Sequence, residues 1–410
     1  MKEETKQRKN AMPALKQWSQ RSQVGQQLHE IVQMGSQALN ELSLQLGREI
    51  AEFILYSERE ELAGPDYQPR QEGLYKWASQ PGSVYLAGQK IKVQRPRLRQ
   101  AREVPLQSYQ AMKKPQGFSE QLLAQSLAGL SGRQYRQTLV NAAEAFGVSP
   151  SAVSKHLIEI TTEKLKEFKE RALHDFIPLA LFIDTVHRGG MAFVVALGLD
   201  LYGHKQVLGF WQGATESAEV ADSLLGDLQA RGLKLSAKVL FIVDGGKGLS
   251  KALSQRYADK LLLQRCTIHK ERNLHGHLPK KYRSECHRRY RVALEQNDYK
   301  EAEKMLRELE QWLRTINESA ADSLLEAFNE LLTLHRLKVP GLLRKTLHST
   351  NPIESLFSQV RACEKNIKRY RDSNMAQRWL ASVLLHAEHS FRKIKGHEQI
   401  PKLVSFIEAR

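Results

Sequence analysis

Apolar and polar positions recur along this chain with two different periods, and the change between them divides it. Between residues 28 and 56, Leu28, Ile31, Val32, Leu39, Leu42, Leu46, Ile50, Phe53 and Ile54 fall close to every 3.6 positions. That spacing predicts a helix whose apolar stripe serves a core or self-association, with a core as the expectation. AGPDYQPRQEG (63–73) breaks the pattern with Gly, Pro and polar residues and reads as a linker. In SVYLAGQKIKVQRPRLR (83–99), two short alternating runs flank Gly88-Gln89 and predict a hairpin with a two-residue loop. Period two puts Ile91 and Val93 on one face and Lys90, Lys92 and Gln94 on the other. Residues 120–170 are helix-rich. Within them, TLVNAAEAFGVSPSAVSKHLIEI predicts a helix ending near Phe146, a turn at Gly147, Ser149 as N-cap and Pro150 at the first helical position. Ala152, Val153, His156, Leu157 and Ile160 follow at helical spacing. The outline is a helix-turn-helix with 150–161 as recognition helix and Ser151, Ser154 and Lys155 facing the groove; a plain helix pair has the same outline.

From residue 176 the texture changes. LALFIDTVHRG, MAFVVALGLDLYG and HKQVLGFWQG predict three consecutive strands. A helix closed by Gly232 follows, then a fourth strand (AKVLFIVDGG), a helix (GLSKALSQRY) and a fifth strand (KLLLQRCTIH). That order predicts an α/β mixed sheet with helices packed on it. Residues 271–345 read as almost wholly helical, with Tyr299, Ala302, Leu306, Leu309 and Leu313 marking one amphipathic helix. A further helix begins near 351.

Composition adds a partner. The 410 residues carry 62 Lys and Arg against 45 Asp and Glu, a net charge of +17, which favours a polyanion. The charge is concentrated. Lys90, Lys92, Arg95, Arg97, Arg99 and Arg102 face only Glu103, so the second hairpin strand is either a solvated face or a phosphate-contacting one. Residues 265–290 hold eight Lys or Arg and two acids; Arg265, Lys270, Arg272, Lys280 and Lys281 make that stretch a candidate DNA channel. Three cysteines, Cys266, Cys286 and Cys363, argue against a disulfide framework, and MKEETKQRKN has no apolar signal core. The expectation is a soluble cytoplasmic protein without a membrane span.

Three acids then stand out. FID places Asp184 on the first strand of the sheet, and IVD places Asp244 at the end of the fourth. If those strands are neighbours, both carboxylates emerge close together, although Asp-Gly is also an ordinary turn. Glu354 opens a helix whose apolar stripe is Ile353, Leu356, Phe357 and Val360, and it heads a polar line through Ser358, Arg361 and Lys365. With Asn351 as N-cap, Glu354 also falls where a capping-box glutamate belongs. Clustered carboxylates raise one another's pKa, and Mg²⁺ removes that cost. Two such ions about 4 Å apart suit in-line displacement at phosphorus.

Five segments in this order, IDTV, FIVDGGKGL, LQRCTIHKERNL, LHSTNPIESLFSQVR and YRDSNMAQRW, resemble Mutator-type DDE transposases, the class encoded by bacterial insertion sequences. The resemblance extends from the hairpin nearly to the C-terminus. It implies a ribonuclease H-like core interrupted by a helical insertion before the last acid, and Asp184, Asp244 and Glu354 as a triad holding two Mg²⁺ ions, for which Mn²⁺ substitutes. Cys266 and His269 match the family's Cys-x-x-His element. Zinc shared with Cys286 and His287 is not expected, because adjacent Cys-His side chains converge poorly on one metal; packing or DNA contact is. Arg361, Lys365 and Arg378 of the final segments join the expected DNA contacts. Asp244 precedes two glycines where a minimal motif has one, and Glu216 is at most a neighbour of the triad. The implied function is binding of terminal inverted repeats, strand cleavage and strand transfer by at least a dimer on DNA. Rival readings are a domesticated DNA-binding descendant and another ribonuclease H-like nuclease. The expected pieces are an N-terminal helical region (1–62), linker and basic hairpin (63–115), helix-turn-helix (116–172), first part of the core (173–270), helical insertion (271–345), and core completion with C-terminal helices (346–410).

Overall fold

The computed structural model describes residues 23–65, 68, 70–86, 89–114, 116–129, 149–213, 217–235, 239–258, 261–365 and 367–408. The chain divides into two compact units, residues 1–160 and 161–410.

In the first unit, helix α1 (Gln23–Ala63) precedes a three-stranded sheet of β1 (Tyr75–Leu86), β2 (Gln89–Arg99) and β3 (Glu103–Val104), then α2 (Gln107–Met112) and α3 (Gln116–Leu127). The hairpin forms as the alternation predicts, with Ile91 and Val93 buried and Lys92 and Gln94 exposed. Its strands pair Leu86 with Gln89, so Gln89 lies in the second strand rather than in the expected Gly88-Gln89 loop. Further along β2, opposite a register shift between Trp77 and Gln80 of β1, Pro96 and Leu98 are buried instead. Helix α1 is a core helix on one side only. Leu44, Ala51 and Leu55 join Ile91 and Val93 in the core, while Leu42, Leu46, Ile50 and Phe53 are exposed. The first helix and turn of the expected helix-turn-helix fall in 130–148, outside the described residues. Its second helix is α4 (Pro150–Glu170), longer than expected, with Val153 and Ile160 buried and Ser151, Ser154 and Lys155 exposed.

The second unit is built on a mixed sheet of β4 (Pro178–Arg188), β5 (Met191–Asp200), β6 (Lys205–Gly213), β7 (Leu240–Val243) and β8 (Leu262–Arg265), with helices α5 (Ala218–Ala230) and α6 (Lys247–Tyr257) before and after β7. The order is β6-β5-β4-β7-β8. β5 runs antiparallel to β4 and β6, whereas β4, β7 and β8 are parallel. Leu181, Ile183, Phe241 and Val243 face Leu224, Leu225, Leu228 and Leu253 of α5 and α6 in one core. Gly232, at φ +95°, closes α5, and Leu233 N–H reaches back to the Leu228 carbonyl at 3.0 Å.

The fifth strand is shorter than its apolar run. Cys266 N–H donates to the Val243 carbonyl at 2.7 Å, the last rung of the ladder, and helix α7 (Thr267–His277) starts at once. The helical stretch therefore begins four residues before the expected boundary. It continues through α8 (Lys280–Glu295), α9 (Tyr299–Arg314), α10 (Glu318–Glu326), the short α11 (Phe328–Leu331) and α12 (Thr333–Arg336), and α13 (Gly341–Leu347). Ala302, Leu306, Leu309 and Leu313 bury one face of α9 in a core of its own with Leu274, Tyr290 and Leu324. Helices α14 (Asn351–Cys363), α15 (Ser373–Glu388) and α16 (Ile400–Glu408) complete the unit. Among the described residues no helix is long and apolar enough to cross a membrane.

Candidate active site

The sheet brings the first two acids together. Ile183 on β4 pairs with Val243 on the parallel β7, and both point into the core beneath α5 and α6. Successive strand residues point to opposite faces, so Asp184 and Asp244 emerge side by side on the other face. Asp184 Oδ1 accepts from Thr185 N–H at 2.7 Å. Asp244 Oδ1 accepts from Gly246 N–H at 2.9 Å, so the Asp-Gly turn is real and leaves the carboxylate on the rim of a cleft. Gly245 is obligatory there. Its φ is +102°, and a Cβ would lie 1.6 Å from an Arg265 guanidinium nitrogen.

Glu354 enters from the first turn of α14. The cap residue is Thr350 rather than the expected Asn351, and its hydroxyl lies 3.2 Å from Glu354 Oε1. Asp184, Asp244, Glu354, His269 and Arg361 line one open cleft of about 630 Å³. His269 Nε2 lies 3.5 Å from Glu354 Oε1.

The electrostatics are those of an under-neutralised acidic site. Burial, then the Asp244 charge, pushes the Asp184 carboxyl up to about 7, and Glu354 adds to the shift. His269 rises to about 9, first through its hydrogen bond to Cys266 and then through the Cys266, Asp184 and Glu354 charges, against desolvation. Burial alone would raise the Cys266 thiol, but hydrogen bonds from His269 and Thr350 outweigh it and hold the thiol below its ordinary value. Carboxylate oxygens with excess negative charge on a rigid sheet are the donor set of a hard divalent cation such as Mg²⁺ or Mn²⁺. Among the described residues, no three His, Cys, Asp or Glu side chains converge as a ready-made metal site.

The other expected contacts separate into two groups. Arg272, Lys280, Lys281, Arg361 and Lys365 are exposed in the second unit, and Lys92 and Arg99 in the first. Lys90 is half-buried and lies over the Tyr85 ring. Arg95 and Arg97 share Glu103, at 3.0 and 2.7 Å. Two expected channel residues are internal instead. Arg265 is 4% exposed, bound to Glu330 and Glu326 at 2.7 and 3.1 Å and to the Gly245 carbonyl. Lys270 is 2% exposed and bound to Glu326 at 2.7 Å. Arg378, 8% exposed, donates to Thr161 Oγ1 at 3.0 Å. These cations are themselves buried and already bonded, to Glu326, Glu330 and Thr161, and a DNA phosphate could not reach them without breaking those bonds. Cys286 is buried in the core of the helical stretch, which lifts its thiol to about 12, and His287 pairs with Glu271. Glu216 lies outside the described residues. Thr350 is the neighbour of the triad that the motifs did not single out; its signal was a hydroxyl residue before Asn-Pro at a helix start.

The sequence profile of the family described as Transposase, Mutator family matches residues 15–393. The chain is 31% identical over 262 residues to the transposase for insertion sequence element ISRM5 of Rhizobium meliloti (strain 1021), covering 59% of this chain and 62% of that relative. It is 28% identical over 256 residues to the transposase for insertion sequence element IS905 of Lactococcus lactis subsp. lactis (strain IL1403), covering 60% and 62%. It is 30% identical over 205 residues to the transposase for insertion sequence element IS256 in transposon Tn4001 of Staphylococcus aureus, covering 48% and 51%. The matched stretch is thus less than two thirds of the length of each of these relatives. Because the family profile spans all three carboxylate-bearing segments and most of the sequence, this chain belongs to the Mutator family of transposases.

Proposed function

We propose that this protein is a DDE-type transposase that binds the terminal inverted repeats of its insertion sequence and catalyses metal-dependent cleavage and transfer of DNA strands. The observation that carries the reading is one cleft lined by Asp184, Asp244 and Glu354, acids from three distant segments, with the Asp184 carboxyl raised to about 7. The sheet order, with β5 alone running against the other four strands and a helical stretch ahead of Glu354, supports a ribonuclease H-like core. Bound Mg²⁺ or Mn²⁺ supplies an activated water and stabilises the leaving oxygen. Asp184 and Asp244, placed by the parallel strands, would hold it, and Glu354 on α14 would be the third acid to reach it from the same cleft. Water oxygen bonds to the phosphorus at the element's end as the bond to the 3′ oxygen breaks, which frees a 3′-hydroxyl. That hydroxyl oxygen then bonds to a target phosphorus as the bond from that phosphorus to the target's own 3′ oxygen breaks, and its proton passes to the 3′-hydroxyl released on the target. Holding two ends requires at least two copies of the protein.

A duplex carrying the gene's own flanking sequence, incubated with the protein and Mg²⁺, should be nicked at the 3′ end of the element. Binding without cleavage would favour a DNA-binding descendant. Cleavage of branched duplexes without preference for the flanking sequence would favour another nuclease.

Exposed cations on the hairpin and α4 carry a separate expectation. Replacing Lys92, Arg99 and Lys155 together by Ala should reduce the slope of log affinity against log salt by about 0.9 for each phosphate that is no longer neutralised. Arg95 and Arg97 should contribute less, since Glu103 already holds both. An unchanged slope in the triple variant would remove the hairpin and α4 from the DNA interface.

A further inference from the structure

Thr350 joins the two elements that bring His269 and Glu354 to the cleft. It is fully buried, and although it occupies the N-cap of α14 its side chain makes no cap hydrogen bond to the helix backbone. Its hydroxyl instead lies 3.2 Å from Glu354 Oε1, 3.3 Å from His269 Nδ1 and 3.4 Å from Cys266 Sγ. Its backbone N–H also donates to Cys266 Sγ at 3.4 Å.

A hydroxyl has one proton and two lone pairs, so these contacts cannot all be donations from Thr350. A carboxyl oxygen is a stronger acceptor than a sulfur, and the shortest of the three contacts, at 3.2 Å, is the donation to Glu354 Oε1. The lone pairs that remain on the hydroxyl face His269 Nδ1, which also hydrogen-bonds Cys266, and the Thr350 backbone N–H donates to the sulfur as well. Beside it the same two chain segments are tied again: Thr267 N–H donates to the His348 carbonyl at 3.0 Å, and the Thr267 hydroxyl meets His348 Nδ1 at 2.6 Å. The start of α7 is therefore stitched to the start of α14, and the acid and the imidazole are fixed by the stitch. Among the described residues both contacts to the Glu354 carboxylate use Oε1, which leaves Oε2 for a ligand in the cleft.

We propose that Thr350 is a positioning residue for strand cleavage, whose buried hydroxyl sets the Glu354 carboxylate and the His269 ring in the geometry needed at the scissile phosphate. The inference rests on the carboxylate-cleft reading above and extends it to a side chain that touches neither DNA nor metal. A methyl in place of the hydroxyl keeps the volume and removes the proton and lone pairs, so Thr350→Val tests the hydrogen bonds. Thr350→Ser keeps the hydroxyl and removes the methyl, so it tests the packing.

Wild type, Thr350→Val, Thr350→Ser and Asp244→Asn are compared on the flanking-sequence duplex in single-turnover nicking, in duplex affinity by fluorescence anisotropy, and in Mn²⁺ titration of each protein–DNA complex by calorimetry. Thr350→Val should nick roughly 10–100-fold more slowly and bind Mn²⁺ more weakly by a similar factor, the usual effect of losing a hydrogen-bond partner of a metal ligand. Its duplex affinity should not change, and Thr350→Ser should recover both losses to within about threefold of wild type. Wild-type Mn²⁺ affinity in Thr350→Val would overturn the inference, and so would a Ser variant as impaired as the Val variant. If wild type itself does not nick the chosen duplex, the Mn²⁺ titration decides. Nicking by Asp244→Asn at the wild-type rate would overturn the carboxylate reading itself, an outcome distinct from failure of Thr350 alone.

Discussion

Asp244→Asn will reduce 3′-end nicking by roughly 10³-fold or more while leaving duplex affinity within about twofold of wild type. The size follows from what the carboxylate does. Losing one anionic ligand from a divalent-cation site forfeits several kcal/mol of transition-state charge stabilisation, and about 4 kcal/mol corresponds to roughly 10³ in rate. Asn keeps the shape and can accept from Gly246 N–H as Asp244 Oδ1 does at 2.9 Å, so the turn survives the substitution. That separates the turn from the proposed metal role: the turn needs only an acceptor, whereas a divalent cation would need the charge. Glu354→Gln should behave in the same way, because Gln can still accept from the Thr350 hydroxyl. Nicking by either variant at the wild-type rate would show that its acid serves only local structure, the turn for Asp244 and the Thr350 contact for Glu354. A parallel loss of duplex affinity would point instead to a disturbed fold.

The parts of the site differed in how far local sequence could reveal them, and the differences have physical causes. The sheet was legible because its strands are apolar runs bounded by Gly, Asp and Lys. An acid at the end of such a run is conspicuous, so Asp184 and Asp244 could be singled out before their strands were known to be neighbours. Glu354 was not legible in the same way. At the start of a helix a glutamate has an ordinary local use, and only the resemblance to transposases favoured the metal. Its actual anchor is Thr350 rather than the helix backbone, a contact that depends on the fold around Cys266 and His269.

The burial of Arg265 and Lys270 is hidden from local sequence for the opposite reason. Their neighbourhood is basic, and local charge counting made a channel of it. The carboxylates that neutralise them, Glu326 and Glu330, come from the end of α10 and from α11, some sixty residues later, where nothing in sequence marks them as partners. Helix α1 shows the same limit. Periodicity identified the helix, yet Leu44, Ala51 and Leu55 are buried while Leu42, Leu46, Ile50 and Phe53 on the same helix are exposed. A period of 3.6 reports that an apolar face exists; which of two faces is covered depends on the hairpin that packs against it.

Asp184→Asn will stabilise the metal-free protein even as it abolishes cleavage. In the folded protein this carboxyl titrates at about 7 instead of 3.8, chiefly through burial and then through the Asp244 charge. Between those values the folded state binds more protons than the unfolded chain, so the group costs folding nothing below about pH 3.8 and progressively more as pH rises to about 7. At about 1.4 kcal/mol per pH unit the full cost above pH 7 has a ceiling of about 4 kcal/mol. Water entry into the open cleft and rearrangement of His269 will reduce it, and a gain of roughly 1–3 kcal/mol, or roughly 3–10 °C in Tm, is expected for the Asn variant at pH 8 in EDTA. At pH 5 less than half of that gain should remain, because the folded wild type keeps its proton there. His269 acts in the same direction in wild type. Its raised pKa stabilises the fold below about pH 6.5 and ceases to do so as pH climbs through about 9. Adding Mn²⁺ at pH 8 should raise the wild-type Tm by mass action and leave the Asn variant nearly unmoved. The measurement is thermal unfolding of both proteins at pH 5 and pH 8, with EDTA and with Mn²⁺. An Asn variant less stable than wild type in EDTA at pH 8 would mean that the cleft already neutralises Asp184, and with that the electrostatic case for a metal there would fall. A Tm gain that appears with pH and disappears with Mn²⁺ would tie the raised carboxyl to the ion it is built to hold.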